Sequence, residues 1–439
     1  MQQTLFFIPH ELGGIPVFGW GWLLAGWWLG SAVWLIWTLS RHRDATAVVG
    51  FAPFFLVVSA AIMFLFPMLE AKDPQGAPLG LPVRGYGTLV LAGFVVAFLW
   101  ATRRAEQRGM SGETISSLAL WLFVAGFAGA RLFFVIEYWD DFRRPNLGET
   151  IRAVATFTEG GLVVYGALIA ALPTLAVFAW RHRVTPLELG DVVAPTLLAG
   201  LALGRIGCLM NGCCYGGVCE GDTFCIRFPH YNSVRQKSIS PPYMHQLMTG
   251  RLHGFVLEAD AEGHPVVRSV APESAALAAG LRPGMRLTAI NGQPVESIDR
   301  ARRALITSPP DVSVDTSEFG RIAWSIGELP PRSLPVHPTQ IYSALSAIAI
   351  GLVLIAAEPY LRAPGAMLAL LLTLYPPLRI LEEVIRVDEP GQFGTALSIS
   401  QWISLGMLIV AVALWGYIYA IAKRGDGARS PTSRRWSAA

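Results

Sequence analysis

Nine stretches of this chain are apolar over about 20 residues, the length at which an α-helix crosses the hydrocarbon core of a bilayer. They run Val17–Leu39, Val48–Leu69, Gly85–Ala101, Ile115–Tyr138, Gly161–Trp180, Val192–Met210, Gln340–Ala357, Gly365–Glu383 and Ile399–Ala422. A segment in lipid must satisfy its backbone internally, so each run is expected to be a helix. The fold class is therefore an all-α polytopic membrane protein. Charged residues make up 15% of the chain, against about 25% in a soluble domain. The net charge of +3 gives no footprint for nucleic acid. The N-terminus lacks a charged n-region and a small-residue cleavage site, so the first run reads as a retained helix rather than a signal peptide.

Basic residues set the orientation. Arg41 and Arg43 follow the first run, Arg103, Arg104 and Arg108 the third, Arg181 and Arg183 the fifth, Arg362 the seventh, and Lys423 and Arg424 the ninth. Short basic loops stay on the cytoplasmic side. All of these fall on one side if the N-terminus lies outside, which puts the long segment Asn211–His337 on the outer face.

That segment is too long for a plain loop, since connections beyond about 12–15 residues usually carry structure. Val266–Val270 reads as a strand, Glu273–Ala279 as a short helix, and Met285–Ile290, Asn291-Gly292 and Gln293–Val295 as strand, turn and strand. Asp299–Ile306 is amphipathic, and Val312–Val314 and Ile322–Ile326 are further strands. The pattern Val267-x-x-Val270-x-Pro272-x-Ser274-x-Ala276-x-x-Ala279-Gly280-Leu281 and onward to Ile290-Asn291-Gly292 resembles a PDZ-like domain of bacterial envelope proteases over roughly 254–327. Such domains take peptides by strand addition. Gly254-Phe255-Val256 is the one candidate for a carboxylate-binding loop, and a spacer that binds no peptide is an equal reading.

Polar groups at membrane depth mark sites, because a charge there is costly without a partner or a task. In Gly204–Gly216, Arg205 and Asn211 stand at the end of the sixth run. Arg379, Glu382, Glu383 and Arg386 close the eighth run, His337-Pro338-Thr339-Gln340 opens the seventh, and Arg84-Gly85-Tyr86-Gly87 opens the third. The charge bias places all four at the outer interface, with Arg131 and Glu159-Gly160-Gly161 on the same side. A guanidinium is always charged, and its planar fork suits a phosphate, such as a phospholipid headgroup. Blander readings stand beside these. Arg379 and Glu383, four apart, could simply neutralise each other; His337 could be a cap, Tyr86 a belt aromatic, and Asp191 the N-cap of the sixth run.

These segments together resemble the bacterial prolipoprotein diacylglyceryl transferase family. The matching stretches are Arg84–Gly87, Ala101–Ala105, Gly129–Leu132, Gly160–Gly166, Asp191–Pro195, Gly204–Gly216, His337–Tyr342, Leu378–Asp388 and Leu397–Gln401, in family order over about 81–422. The resemblance implies a seven-helix core, with the first two runs added at the N-terminus. It divides the chain into 1–80 (two extra helices), 81–253 (first part of the core with a Cys-rich loop), 254–327 (the insert), 328–422 (second part of the core) and 423–439 (a basic cytoplasmic tail). It implies transfer of the diacylglyceryl group of phosphatidylglycerol to the lipobox cysteine of preprolipoproteins, at the outer leaflet of the bacterial inner membrane, with no metal or cofactor. The N-terminus and the insert would be periplasmic. Catalytic positions carried over are Arg205, Arg379, Tyr86 and His337; lipid-binding positions are Arg205, Asn211, Gly216, Glu383 and Tyr165. Partners would be phosphatidylglycerol, the lipobox segment, membrane lipids, and a peptide or envelope protein at the insert.

The chain departs from the family pattern where protons are handled. Tyr165 stands where the family usually has a His, Cys208 and Cys213 where it has Asn and Glu in the Arg205 motif, and Ser343 where it has Glu. His337, Glu383 or Tyr165 is left as candidate base. The alternative is a non-catalytic or altered-specificity lipid-binding protein that tethers envelope partners. Cys208, Cys213, Cys214, Cys219 and Cys225 all fall in one short stretch. A disulfide-stapled lid is the favoured reading. A catalytic or acyl-accepting thiol is the sharper one, and zinc is disfavoured by the lack of a CxxC pair or an adjoining His.

Overall fold

The structure is a computed structural model that describes residues 3–42, 45–73, 75–143, 146–155, 163–219, 224–233, 238–306, 311–387, 391–392 and 394–426. Its principal helices are α1 (Trp22–His42), α2 (Ala45–Ala60), α3 (Gly85–Gln107), α4 (Gly112–Glu137), α5 (Leu147–Ala155), α6 (Val164–His182), α7 (Pro186–Asn211), α8 (Pro241–Met248), α9 (Ala275–Ala278), α10 (Ile298–Ile306), α11 (Thr339–Ala357), α12 (Ala366–Ile385) and α13 (Ile399–Asp426). Among the described residues, seven helices are long and apolar enough to cross a membrane: Trp22–Arg41, Phe51–Met68, Gly85–Gln107, Gly112–Ile136, Pro186–Asn211, Thr339–Tyr360 and Ile399–Ile421. The two remaining apolar runs are also helical, as α6 and α12. The chain is a multi-pass membrane protein with a small α+β insert. Glu159, Gly160, Gly161 and Asp388 lie outside the described residues.

The chain divides into two compact units: Met1–Thr88 with Ile206–Ile341 and Ile385–Asp388, and Leu89–Arg205 with Tyr342–Val384 and Glu389–Ala439. In the first, β1 (Thr4–Ile8) and β2 (Ala71–Lys72) flank β3 (Pro78–Arg84) in an antiparallel sheet. Aromatic contact ties α1 to α2. Trp34 lies 4.4 Å from Phe51, ring to ring, and the Trp27 and Trp28 indoles both donate to Ser59 Oγ, at 3.1 and 3.2 Å.

The insert in the same unit follows the expected element order. β4 (Phe255–Ala259) pairs with β5 (Pro265–Val270), and β6 (Leu287–Ile290), β7 (Gln293–Pro294), β8 (Asp311–Thr316) and β9 (Gly320–Ser325) form a sheet in the order β7-β6-β8-β9. Asn291 and Gly292 both have positive φ, 48° and 77°, as the tight turn between β6 and β7 requires. The Ser274 side chain caps α9 by accepting from the Leu277 N–H at 3.2 Å. Phe255, Leu281, Leu287, Ile290, Leu305 and Val314 form the centre of its core. Strand β4 was not legible as a strand, because Phe255 to Ala259 carries too short an alternation to announce one.

The second unit is helical, and glycines let its helices touch backbone to backbone. A Cβ built on Gly166 would lie 2.3 Å from the Gly129 carbonyl oxygen, so α4 and α6 cross where only hydrogen atoms fit. Ala194, Leu198, Ile350, Leu354 and Met367 pack α7, α11 and α12 together.

Buried charges help to hold this unit. Arg104, 7% exposed, donates to both carboxylate oxygens of Glu358 at 2.8 and 2.9 Å, and Arg108 joins at 2.8 Å. So Arg104 and Arg108, read from the sequence as topology signals and Arg104 also as part of a family-matching segment, are structural clamps as well. Asp191 corrects the sequence reading. α7 begins at Pro186, so Asp191 lies inside the helix rather than at its start. Its carboxylate instead accepts the backbone N–H of Gly365 at 2.7 Å and of Leu368 at 3.0 Å, capping α12.

Candidate functional site

In the first unit, three distant pieces of chain meet at Gly216. The Gly216 N–H donates to the His337 carbonyl at 2.9 Å, the His337 N–H returns to the Gly217 carbonyl at 3.1 Å, and the Gly217 N–H donates to the Ile385 carbonyl at 2.9 Å. Gly216 also bridges Arg386 in antiparallel fashion. A Cβ on Gly216 would lie 2.7 Å from His337 Cβ and 3.0 Å from both Ile385 and Thr339. No larger residue fits without moving His337. The seat below is polar: Thr339 Oγ1 donates to the Cys214 carbonyl at 2.5 Å and Gln340 Nε2 to the Cys213 carbonyl at 2.6 Å. Gln340 is 1% exposed and Thr339 2%. His337 is half-buried.

Asn211 is the last residue of α7 and accepts a hydrogen bond from Gln3 Nε2 at 2.7 Å. The Gln3 carbonyl in turn receives the Gly85 N–H at 2.9 Å, and a Cβ on Gly85 would meet the Met210 sulfur at 2.9 Å. Gln3, just before β1, thereby ties the β3–α3 junction at Arg84–Gly87, which carries the exposed Tyr86, to the end of α7. Gln3 was missed from sequence, because nothing marks a lone polar residue near a chain start as a ligand of a site 208 positions away.

In the second unit, Arg379 and Glu383 form an ion pair at 2.5 Å with side chains 8% and 3% exposed. Arg379 Nη2 also donates to Ser400 Oγ at 3.0 Å. The mutual neutralisation weighed from their spacing is thus present, and it fixes the guanidinium in one orientation. Ser400 lay within a matching segment, but its role needed the fold. Arg205 stands near the end of α7, half-buried. Arg131 is spent on the end of a helix: its Nε and Nη2 donate to the Val154 and Ala153 carbonyls of α5, at 2.9 and 3.2 Å, and it lies 5.1 Å from the Phe142 ring. Tyr165 is in the first turn of α6, and its side chain lies outside the described residues.

The cysteines divide. Cys219 and Cys225 form a disulfide, whereas Cys208, Cys213 and Cys214 are thiols. Cys213 and Cys214 follow a left-handed Gly212 (φ 78°), and Cys214 itself has φ 58°. That turn folds them back toward Cys208.

The family model for prolipoprotein diacylglyceryl transferase matches residues 75–417. The chain belongs to the prolipoprotein diacylglyceryl transferase family. A phosphatidylglycerol–prolipoprotein diacylglyceryl transferase of Rhodopirellula baltica is 36% identical over 450 aligned positions, covering 94% of this chain and 88% of the relative. Enzymes of that name from Listeria welshimeri and Thermosynechococcus vestitus are 37% and 32% identical over 33% and 34% of this chain, and 50% and 55% of their own length. The diacylglyceryl transferase match begins after α1 and α2 and contains Arg205, Arg379, Gly216 and His337.

In the insert, the outer edge of β4 is occupied by the chain itself. The Phe255 and Leu257 N–H groups donate to the Gly250 and Thr249 carbonyls at 3.2 and 3.1 Å. His253, 1% exposed, lies under α10 with Nε2 3.3 Å from the Leu305 carbonyl.

Proposed function

We propose that this chain transfers the diacylglyceryl group of phosphatidylglycerol to the lipobox cysteine thiol of preprolipoproteins. The observation that carries the reading is the family match from residue 75 to 417. In the reaction the sulfur bonds to the terminal glyceryl carbon, the bond from that carbon to the phosphate oxygen breaks, and glycerol phosphate leaves with the electron pair. The thiol proton goes to a base or to water.

Charge grows on the departing phosphate, so fixed cations aimed there lower the barrier. Arg205 and Arg379 are assigned this role. Support for Arg379 is its orientation: Nη1 pairs with Glu383 and Nη2 donates to Ser400, and further N–H groups of the fork are left over for an anion. Tyr86 and His337 are assigned to proton handling, and Asn211, Gly216, Glu383 and Tyr165 to contact with the lipid. Glu383 is already engaged by Arg379, so the base role is assigned to His337.

The charge bias supports a bacterial inner-membrane location with the N-terminus and insert periplasmic and the C-terminus cytoplasmic. The domain division is the one read from the sequence, with the insert at 254–327. The insert acts as a spacer rather than a peptide reader. Its β4 edge, where strand addition would occur, already receives Thr249 and Gly250.

Purified protein in vesicles containing phosphatidylglycerol, incubated with a lipobox peptide, should give a thioether-linked diacylglyceryl peptide by mass spectrometry. No product, together with failure to rescue cells depleted of their own transferase, would sink the assignment.

A further inference from the structure

Three thiols from one short stretch of sequence are brought to a single point by the fold. The sulfurs of Cys208, Cys213 and Cys214 all lie within 4.8 Å of one another. A zinc ion with Zn–S bonds of about 2.3 Å holds tetrahedral sulfurs about 3.8 Å apart, so small side-chain rotations close the gap. The lack of a CxxC pair argued against metal only for ligands on an extended loop. Here one ligand comes from the last turn of α7, and two come from a turn that doubles back. The Gly212 and Cys213 N–H groups both donate to the Cys208 carbonyl, at 2.9 and 3.2 Å.

The arrangement is held from outside. Thr339 and Gln340 bond the carbonyls of Cys214 and Cys213, both from buried positions. Gln340 Oε1 is buried without a hydrogen bond among the described residues, an acceptor still unused beside the loop. Cys214 keeps a left-handed backbone that is unfavourable for an ordinary side chain, a strain found where geometry is imposed for use. All three thiols are half-buried, so an ion can reach them. Two of them, Cys208 and Cys213, stand at the positions where the chain departs from its family in the Arg205 motif.

We propose that Cys208, Cys213 and Cys214 form a trithiolate site for Zn2+ whose fourth coordination position is open to an external thiol. Three protein ligands with one open position is the pattern of a reactive rather than a structural zinc. A thiol that takes the open position is deprotonated by the metal and releases its proton to water. On the transferase reading, on which this last step alone rests, that thiol is the lipobox cysteine. Its thiolate then forms the C–S bond as the C–O bond to phosphate breaks, and the zinc is unchanged. This supplies a thiolate in a chain with Tyr165 in place of the family's His.

The test uses the full chain in detergent, purified with a reductant that leaves Cys219–Cys225 intact, and Co2+ as probe. The expected result is one Co2+ per chain with thiolate-to-cobalt charge-transfer and tetrahedral d–d bands, displaced by Zn2+, and lost in Cys208→Ser and Cys213→Ser but kept in the Cys219→Ser/Cys225→Ser pair. A small thiol such as N-acetylcysteine methyl ester should intensify the charge-transfer band as a fourth sulfur binds. Native mass spectrometry checks that each variant is folded, and maleimide labelling should be slowed at all three cysteines by Zn2+. Substoichiometric cobalt, octahedral spectra, a disulfide among the three that survives purification, or no response to added thiol would overturn the site as stated. None of these readouts needs activity, so a metal-binding chain that makes no thioether would remove the transferase reading and leave the site standing.

Discussion

In the insert, Leu287 is 1% exposed and Ile290, Leu305 and Val314 are 0%; in α4, Leu120, Trp121 and Phe123 are 63%, 57% and 65% exposed. The insert encloses its apolar side chains as a water-soluble domain does, because burial from water is what stabilises it. The membrane helices turn theirs outward to lipid, which is as apolar as they are, and hold together by close glycine contacts and paired polar groups. Their buried side chains include Arg104, Asp191, Arg379 and Glu383. One chain thus uses opposite patterns for two solvents. A buried charge is informative in the helices, while a buried leucine is informative in the insert.

The largest expected effect tests the polar interior. Arg379→Ala leaves Glu383 without its cation in a buried place, which costs about 3–5 kcal/mol for a broken buried pair. It should also lower the transfer rate about 10²–10³-fold through the lost anion donor. Thermal unfolding in detergent and single-turnover lipid transfer read the two losses separately. A variant that melts like the parent would show that the helices do not rely on that pair.

Next in size is a matched leucine pair. Leu287→Ala, in the insert core, should destabilise the insert by about 2–5 kcal/mol, seen as faster hydrogen exchange across β6 and β8. Leu345→Ala, at a position 60% exposed on α11, should change stability by less than about 1 kcal/mol, because lipid covers the site either way. Equal losses would break the contrast between the two regions.

Gly216→Ala comes third. The added methyl meets His337, Ile385 and Thr339 at 2.7–3.0 Å, so an overpacking cost of about 1–3 kcal/mol is expected. Activity should fall about 10²-fold as His337 shifts. Full activity would show that the segment at Gly216 does not position the histidine.

The smallest effect is the pH response of the insert. Burial pushes the His253 imidazole below its usual range, partly opposed by the Leu305 carbonyl. The folded insert therefore binds fewer protons there than the unfolded chain, and its stability rises with pH in that window. Stability should be intact above the unfolded value of about 6.5 and decline as pH falls below it. Hydrogen exchange of the insert at two pH values measures this, and His253→Phe should flatten the dependence.

Much of this architecture is legible in the sequence. The apolar runs located the seven helices that, among the described residues, are long and apolar enough to cross a membrane, and Asn291-Gly292 located the β6–β7 turn. The family segments offered Arg205, Arg379 and His337 as candidates. What escaped had no local signal. Asp191 looked like a cap for its own helix, because only packing reveals that it serves α12. The Gln3 contact with Asn211 and the Ser400 contact with Arg379 are long-range, and no periodicity announces them.

The sequence by itself determined the solvent of each region, because hydropathy and charge bias act residue by residue through the cost of placing a group in lipid or water. Only the tertiary structure decided which polar groups share a partner. A hydrogen bond or a trio of thiols depends on positions in space that α7, its terminal turn and the segment at Gly216 fix together. Linear spacing separated Cys208 from Cys213 and Cys214, and a left-handed turn brought their sulfurs within 4.8 Å.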